Sequence, residues 1–113
     1  MANVVYVNEE EGKKRVMNNS KLYVKLLTKF KADTNLDSLV DSVAAQDWEK
    51  AQAAVHTVKG IAANLSLTEL FNQSLEAETQ IKGKSLDNET LENLKMCFAV
   101  TISEVDKVIA KNA

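Results

Sequence analysis

The sequence predicts an all-α fold, an antiparallel up-and-down four-helix bundle with a short additional N-terminal helix. Three observations favour this class. The 113-residue chain has no proline and only three glycines, which suits long helices with few tight turns. Apolar residues recur at spacings of three and four in nearly every window, as they do on one face of an α-helix. The segments between these patterns are short, so successive helices are expected to run antiparallel.

The first two helices follow from the apolar patterns of the N-terminal half. The first pattern covers residues 22–43 and predicts one long helix, or two helices joined near residues 34–35. The second pattern covers residues 48–65 without a break. Asp47 directly precedes it and is a candidate N-cap, because its carboxylate can accept a hydrogen bond from a free N–H of the first turn.

The last two helices have end signals of the same kind. The third pattern covers residues 67–81, after a sequence at 66–69 that fits a capping box, and Gly83 suits the end of that helix. The fourth pattern covers residues 91–108, with Asp87 as its expected N-cap. These end signals therefore support the predicted bounds of the third and fourth helices.

The chain is expected to form a single domain over residues 1–113, because this length suffices for one modest core. Residues 12–17 predict a short extra helix that closes one end of the bundle. Residues 1–8 are expected to form a loosely packed arm.

Composition excludes several kinds of partner. The net charge is −2, and no basic block suggests nucleic acid. Aromatic residues make up 5% of the chain, too few for a base-stacking surface. The single cysteine, Cys97, cannot form an internal disulfide, which predicts a reducing compartment and a cytoplasmic protein. No segment reaches the 18 or so apolar residues of a membrane span, so no membrane partner is expected.

The only histidine, His56, is the most informative residue of the chain. At about 100° per residue, the apolar stripe of its helix fills an arc of roughly 100°, and His56 points about 130° from the centre of that arc. The imidazole is therefore expected to face solvent or a partner, although an inert surface histidine has the same phase. Its neighbours one and two turns away are mostly small or polar: Gln52, Ala53, Lys59, Gly60 and Ala63.

Gly60 and Lys59 favour a functional surface. Glycine inside a helix costs about 1 kcal/mol relative to alanine, and the apolar stripe continues past Gly60. The glycine gives a partner room to approach, or it marks a kink or close packing against another helix. Lys59, three residues after His56, can place its ammonium beside negative charge on the ring nitrogen, where a phosphoryl group fits best. Gln52 can donate its amide there, or is simply solvated.

Residues 54–65 closely resemble the histidine-containing phosphotransfer (Hpt) domain of multistep two-component relays. The family motif is His-x-x-Lys-Gly followed by small and apolar residues, as at residues 56–60. The resemblance covers roughly residues 20–82, and the fourth helix matches only in pattern. Two positions depart from the family: Ile61 replaces a small residue, and Ser66 replaces a common glycine. Ile61 lies about 140° from His56, nearer the core, so it is not expected to obstruct docking.

The resemblance implies a phosphocarrier. His56 is then the phospho-acceptor, Lys59 stabilises the phosphoryl charge, and Gln52, Ala53, Gly60 and Ala63 admit the partner. That partner is a response-regulator receiver domain, a hybrid sensor kinase, or both, with Mg²⁺ bound by the receiver. This chain is expected to bind no cofactor or metal and to be a monomer. A polar side chain of the third helix, Lys82 or Glu78, is expected near the site.

Two other classes compete with this interpretation. A helical adaptor would bind a receiver without transferring phosphate, although the histidine is present. A metal-binding bundle would need several inward carboxylates and Glu-x-x-His pairs, and residue 53, three before the one histidine, is alanine. The sequence has no Walker loop or kinase signature, so the chain is expected to be no enzyme and to lack ATP-dependent kinase activity.

Overall fold

Six helices make up the fold. A computed structural model describes residues 4–112, and within that range every regular element is a helix. The helices are α1 (Glu9–Lys14), α2 (Ser20–Lys31), α3 (Asn35–Ala44), α4 (Trp48–Leu65), α5 (Thr68–Lys82) and α6 (Asn88–Lys111). The prediction of an all-α helical bundle is confirmed.

Helices α2 to α6 build the bundle, and α1 packs against α2. Helix α4 packs against both α3 and α5, α5 packs against α6, and α2 contacts α4 and α6. The connections between α3 and α4, α4 and α5, and α5 and α6 are short, as is typical of antiparallel neighbours. No helix within residues 4–112 has the length and apolarity needed to cross a membrane. The core is filled by side chains from α2 to α6, of which the fully buried ones include Tyr23, Leu27, Leu39, Val55, Leu70, Leu94 and Val105.

The first predicted helix is two helices, the alternative with a junction near residues 34–35. The side chain of Asp33 accepts a hydrogen bond of 2.8 Å from the backbone N–H of Asn35 and also binds the Asn35 amide. Such local side-chain bonds compete with the helical ladder and break it here. The end of α2 is then attached to α6 by the Phe30 and Phe98 rings, whose centroids are 5.2 Å apart.

Most predicted helix ends are confirmed. Asp47 accepts a hydrogen bond of 3.2 Å from the backbone N–H of Lys50 at the start of α4. Asp87 does the same for Thr90 in α6, at 2.7 Å. Gly83 ends α5 with a φ of −87°, so the left-handed residue is the following one, Lys84, at φ 60°. Each of these caps involves residues close together in the sequence, which is why the sequence alone could predict them.

The predicted capping box at residues 66–69 is wrong. Ser66 ends α4 in the left-handed conformation, with φ 57°, and its hydroxyl donates to Glu11 Oε1 at 2.9 Å. Helix α5 consequently has no side-chain N-cap bond at Leu67. The free N–H of Glu69 donates instead to the carbonyl of Val5, at 3.0 Å. The left-handed φ also gives a physical reason why glycine suits the position of Ser66.

The N-terminal segment differs from the expected loose arm in the part that is described, since residues 1–3 lie outside the described range. Val5 accepts the bond from α5, and the N–H of Asn8 donates to the Ser66 carbonyl at 2.9 Å. Tyr6 and Val7 pack against the core. The short additional helix, α1, spans Glu9–Lys14, three residues before the predicted 12–17.

Tyr23 and Gly12 fix α1 and α2 on the bundle. The fully buried Tyr23 donates its hydroxyl hydrogen to the Leu65 carbonyl at 2.9 Å, and burial raises the pKa of its phenol to about 12. The backbone of Gly12 packs directly against this ring. A Cβ at position 12 would be 2.5 Å from Cε1, Cζ and the hydroxyl oxygen of Tyr23. The contact therefore requires glycine.

We expect Gly12→Ala to lower the free energy of unfolding by about 1–3 kcal/mol, because the added methyl group overlaps the Tyr23 ring. Gly60→Ala is the matched control, since a Cβ there meets nothing within 4 Å. It should raise stability by up to about 1 kcal/mol through helix propensity. Urea unfolding of both variants measures the difference. Equal effects of the two substitutions would contradict the packing described for Gly12.

Candidate functional site

His56 lies on the outward face of α4. Its side chain is 71% exposed, whereas Val55 and Val58 on the same helix are buried. The predicted orientation away from the core is confirmed. The imidazole is thus presented to solvent by a helix whose opposite face is fixed in the core.

A buried carboxylate of α5 contacts the imidazole of His56. The side chain of Glu78 is only 4% exposed, and its Oε2 lies 3.1 Å from His56 Nδ1. The second oxygen, Oε1, accepts a hydrogen bond of 2.5 Å from Lys59 Nζ. One carboxylate therefore binds two α4 side chains that are three residues apart, and the buried charge is paired on both oxygens.

The contact with Glu78 sets the protonation of the ring. An ionised carboxylate can only accept hydrogen bonds, so Nδ1 of His56 carries a hydrogen. In the neutral ring the lone pair is therefore on Nε2. The pKa of Glu78 is lowered mainly by the hydrogen bond from Lys59. The hydrogen bond with His56 and the charge of Lys82 lower it further, whereas burial of the carboxyl raises it. Glu78 is therefore ionised at neutral pH.

Lys59 is placed differently from a free surface lysine. Its side chain is 22% exposed, and its ammonium is paired with Glu78. Of the two side chains predicted near the site on this helix, Glu78 makes the contact and Lys82 contributes only charge. Sequence does contain a signal for Glu78, since it follows Ser74 and Ala77 at the buried spacing of α5. An acidic residue in a core stripe needs a partner.

Gly60 is open to solvent, and α4 continues through it from Trp48 to Leu65. Apart from the two adjacent residues and the local backbone of α4, no atom of residues 4–112 lies within 4 Å of a Cβ built on Gly60. Close packing against a neighbouring helix therefore does not explain this glycine. Gln52 and Ala53 are exposed beside His56, and Ala63 is half-buried. The four predicted docking residues thus lie on the accessible side of α4.

Ile61 packs against the core and is half-buried. This agrees with its expected phase, nearer the core than His56. The bulky side chain does not cover the imidazole, whose exposure stays high.

Comparison with known families decides the relationship of the chain. A family model described as Hpt domain matches residues 26–107. The chain belongs to the Hpt domain family. The match runs from α2 into α6, and at its C-terminal end it passes the 20–82 region of the sequence resemblance. Neither the search of curated proteins nor the search of solved structures gives a match.

Hpt domains serve histidine phosphotransfer in phosphorelays, as phosphocarriers and not as kinases, and they interact there with receiver domains and kinases. In this Hpt domain, the matched region contains the only histidine and its two charged neighbours.

Glu78 should make stability depend on pH. Its pKa is lower in the folded chain than its ordinary 4.5, so its stabilisation is present above about pH 4.5 and is lost as the pH falls through the folded value. We expect Glu78→Gln to cost about 1–3 kcal/mol of unfolding free energy at pH 7. The difference from wild type should shrink toward about pH 3.

Urea unfolding at both pH values measures this effect. Glu76→Gln, an exposed acidic residue on the same helix, is the matched control and should change stability little at either pH. A cost for Glu78→Gln that is the same at both pH values would contradict the ion-pair assignment.

Proposed function

We propose that this Hpt domain carries a phosphoryl group between receiver-domain aspartates and that His56 is the phospho-acceptor. The observation that carries the proposal is the position of the imidazole. It is the one histidine of the chain, it is 71% exposed, and its Nδ1 is bound by a buried carboxylate so that Nε2 faces outward.

The transfer step follows from this arrangement. The Nε2 lone pair of His56 attacks the phosphorus of an aspartyl phosphate, the N–P bond forms, and the acyl O–P bond breaks. The bonding electrons leave with the receiver carboxylate. Nδ1 keeps its hydrogen throughout, so the product is a phosphoimidazolium whose positive ring faces the Glu78 carboxylate. The reverse step hands the phosphoryl group to another aspartate.

Charge neutralisation matters because phosphoryl transfer passes through a loose transition state with charge spread over the phosphoryl oxygens. Lys59 binds the same carboxylate as His56, with its ammonium 2.5 Å from Glu78 Oε1. We propose that, during transfer, the Lys59 ammonium contacts the phosphoryl oxygens as well as the Glu78 carboxylate. The rest of the neutralisation comes from Mg²⁺ on the receiver.

Docking is proposed to use the small and polar residues around the imidazole. Gln52, Ala53, Gly60 and Ala63 leave a low surface on which loops of a receiver or hybrid sensor kinase can approach His56. The chain is proposed to act as a cytoplasmic monomer that binds no cofactor and has no kinase activity of its own. An adaptor without phosphotransfer is the alternative, but it has no use for an imidazole held by a buried carboxylate.

We expect a phosphorylated receiver domain from the same genome to transfer its labelled phosphoryl group to wild-type chain, giving an acid-labile, base-stable product. His56→Gln should lose the label completely, because glutamine has no nucleophilic nitrogen. Autoradiography after transfer measures this, and the circular dichroism of the variant controls for folding. Equal labelling of both proteins would refute the assignment.

Gly60→Leu should weaken receiver docking without loss of stability. A side chain one turn from the histidine keeps the receiver loop away from Nε2, and a misplacement of about 1 Å costs on the order of a hundredfold in rate. We expect kcat/KM for transfer to fall at least about tenfold, and Gly60→Ala to fall less. Unchanged transfer in Gly60→Leu would show that the partner does not approach over Gly60.

A further inference from the structure

The outer face of α6 carries apolar side chains that the bundle does not bury. The helix packs on α5 and α2 through a buried stripe that includes Leu94, Thr101 and Val105. On the other side of the helix, Met96 is 68% exposed and Val100 is 39% exposed. The two side chains are neighbours on the helix surface because they are four residues apart. Exposed apolar patches of this kind are typical of interaction surfaces.

Small and charged residues continue this face along α6. At about 100° per residue, six exposed positions fall within an arc of roughly 100°. They are Glu92, Met96, Ala99, Val100, Ser103 and Lys107. We call these six residues the outer stripe. Its middle four side chains are apolar or small, so a second helix can approach α6 closely there.

The N-terminal segment adds apolar surface beside one end of the outer stripe. The exposed side chains of Val4 and Val5 line, together with Lys107, a hollow of about 400 Å³. Within residues 4–112, seven large apolar side chains are exposed. Four of the seven therefore lie on or next to this side of α6, and the exposed apolar surface of the described chain is concentrated there.

The charges at the two ends of the outer stripe follow the same order. At the N-terminal end Glu92 pairs with Lys95 at 3.3 Å, and at the C-terminal end Glu104 pairs with Lys107 at 3.2 Å. At each end the acidic residue comes first and the lysine follows three positions later. Two copies of such a helix attract each other when they run in opposite directions, because acidic and basic ends then face each other.

An antiparallel second copy of α6 fits this order in one register. A two-fold axis through the midpoint of the stripe, between residues 99 and 100, places Met96 opposite Ser103 of the second copy. The same axis places Glu92 opposite Lys107 of the second copy, and the contact occurs twice because the pair is isologous. A parallel pair would instead place Glu92 opposite Glu92 and Lys107 opposite Lys107, and like charges repel.

We infer that the outer stripe of α6 binds the outer stripe of a second copy of this chain in an antiparallel two-fold pair. A contact centred on one helix is smaller than the about 800 Å² per partner of a standard interface, so the pair is reversible. The monomer proposed above is then the dilute form of the chain. His56 lies on α4 and outside the outer stripe, so each pair carries two such imidazoles.

Sedimentation equilibrium of the full chain from about 5 μM to about 1 mM tests the pair. Wild type should change from monomer to dimer over this range. Glu92→Lys alone and Lys107→Glu alone should each raise the dissociation constant of the dimer at least about fivefold, because each substitution creates two like-charge contacts. The double variant Glu92→Lys/Lys107→Glu exchanges the charges and should restore the wild-type constant.

Two further variants separate the pair from a general effect of charge. Glu49→Lys makes the same charge change on the exposed surface of α4 and should leave the dissociation constant unchanged. Val100→Lys places a charge in the apolar centre of the contact and should raise the constant at least about tenfold. Circular dichroism should show the same helix content in all variants, because every changed side chain is exposed.

Three results would overturn the inference. The first is a wild-type chain that stays a monomer at about 1 mM. The second is association that Val100→Lys does not weaken, which would mean that the dimer uses another face. The third is a double variant no better than the single ones, which would exclude the antiparallel register.

A receiver domain is the other possible occupant of this face. If wild type stays a monomer and a receiver transfers its phosphoryl group more slowly to Val100→Lys than to wild type, the face binds the receiver and the inference is wrong. None of these results changes the assignment of His56, which the labelling of His56→Gln tests separately.

Discussion

The buried carboxylate of Glu78 is the constraint on which the site depends. A charge at this depth is stable only when both oxygens are paired, and its partners are His56 and Lys59 on the neighbouring helix. The requirement fixes α5 in register with α4. It also selects one tautomer for the neutral imidazole and holds Nδ1 against the carboxylate. A buried residue, Glu78, thus determines how the exposed imidazole of His56 is presented for reaction.

The remaining helices are arranged so that one face of α4 stays uncovered. Helices α3 and α5 flank it, and α2 crosses its C-terminal half through the Tyr23 hydrogen bond to Leu65. The uncovered surface carries the small residues around His56. Apolar side chains of α2 and α4 line a groove between the two helices that the bundle itself leaves unfilled. The same helix positions therefore bury the core and leave His56 accessible to a partner.

Sequence alone predicted the features that local rules govern. The 3.6-residue period placed His56 outward, and Asp47 and Asp87 were identified as caps because each contacts a residue three positions later. The errors involve residues distant in sequence. The hydroxyl of Ser66 is used by Glu11, 55 positions away, and not by α5. The pairing of Lys59 with Glu78 spans 19 positions, so a helical period for α4 could not reveal it.

The two ends of the described chain meet at one place on the bundle. Glu9 binds Lys111 at 2.7 Å, and Lys13 binds Asn112 at 2.9 Å. Chains whose ends adjoin in this way tolerate circular permutation. A short peptide bridging α1 and α6 therefore allows the backbone to be opened at the turn after Gly83 instead. His56, Lys59 and Glu78 would then remain on one continuous stretch of chain, and the order of helices would change without altering the face that carries the imidazole.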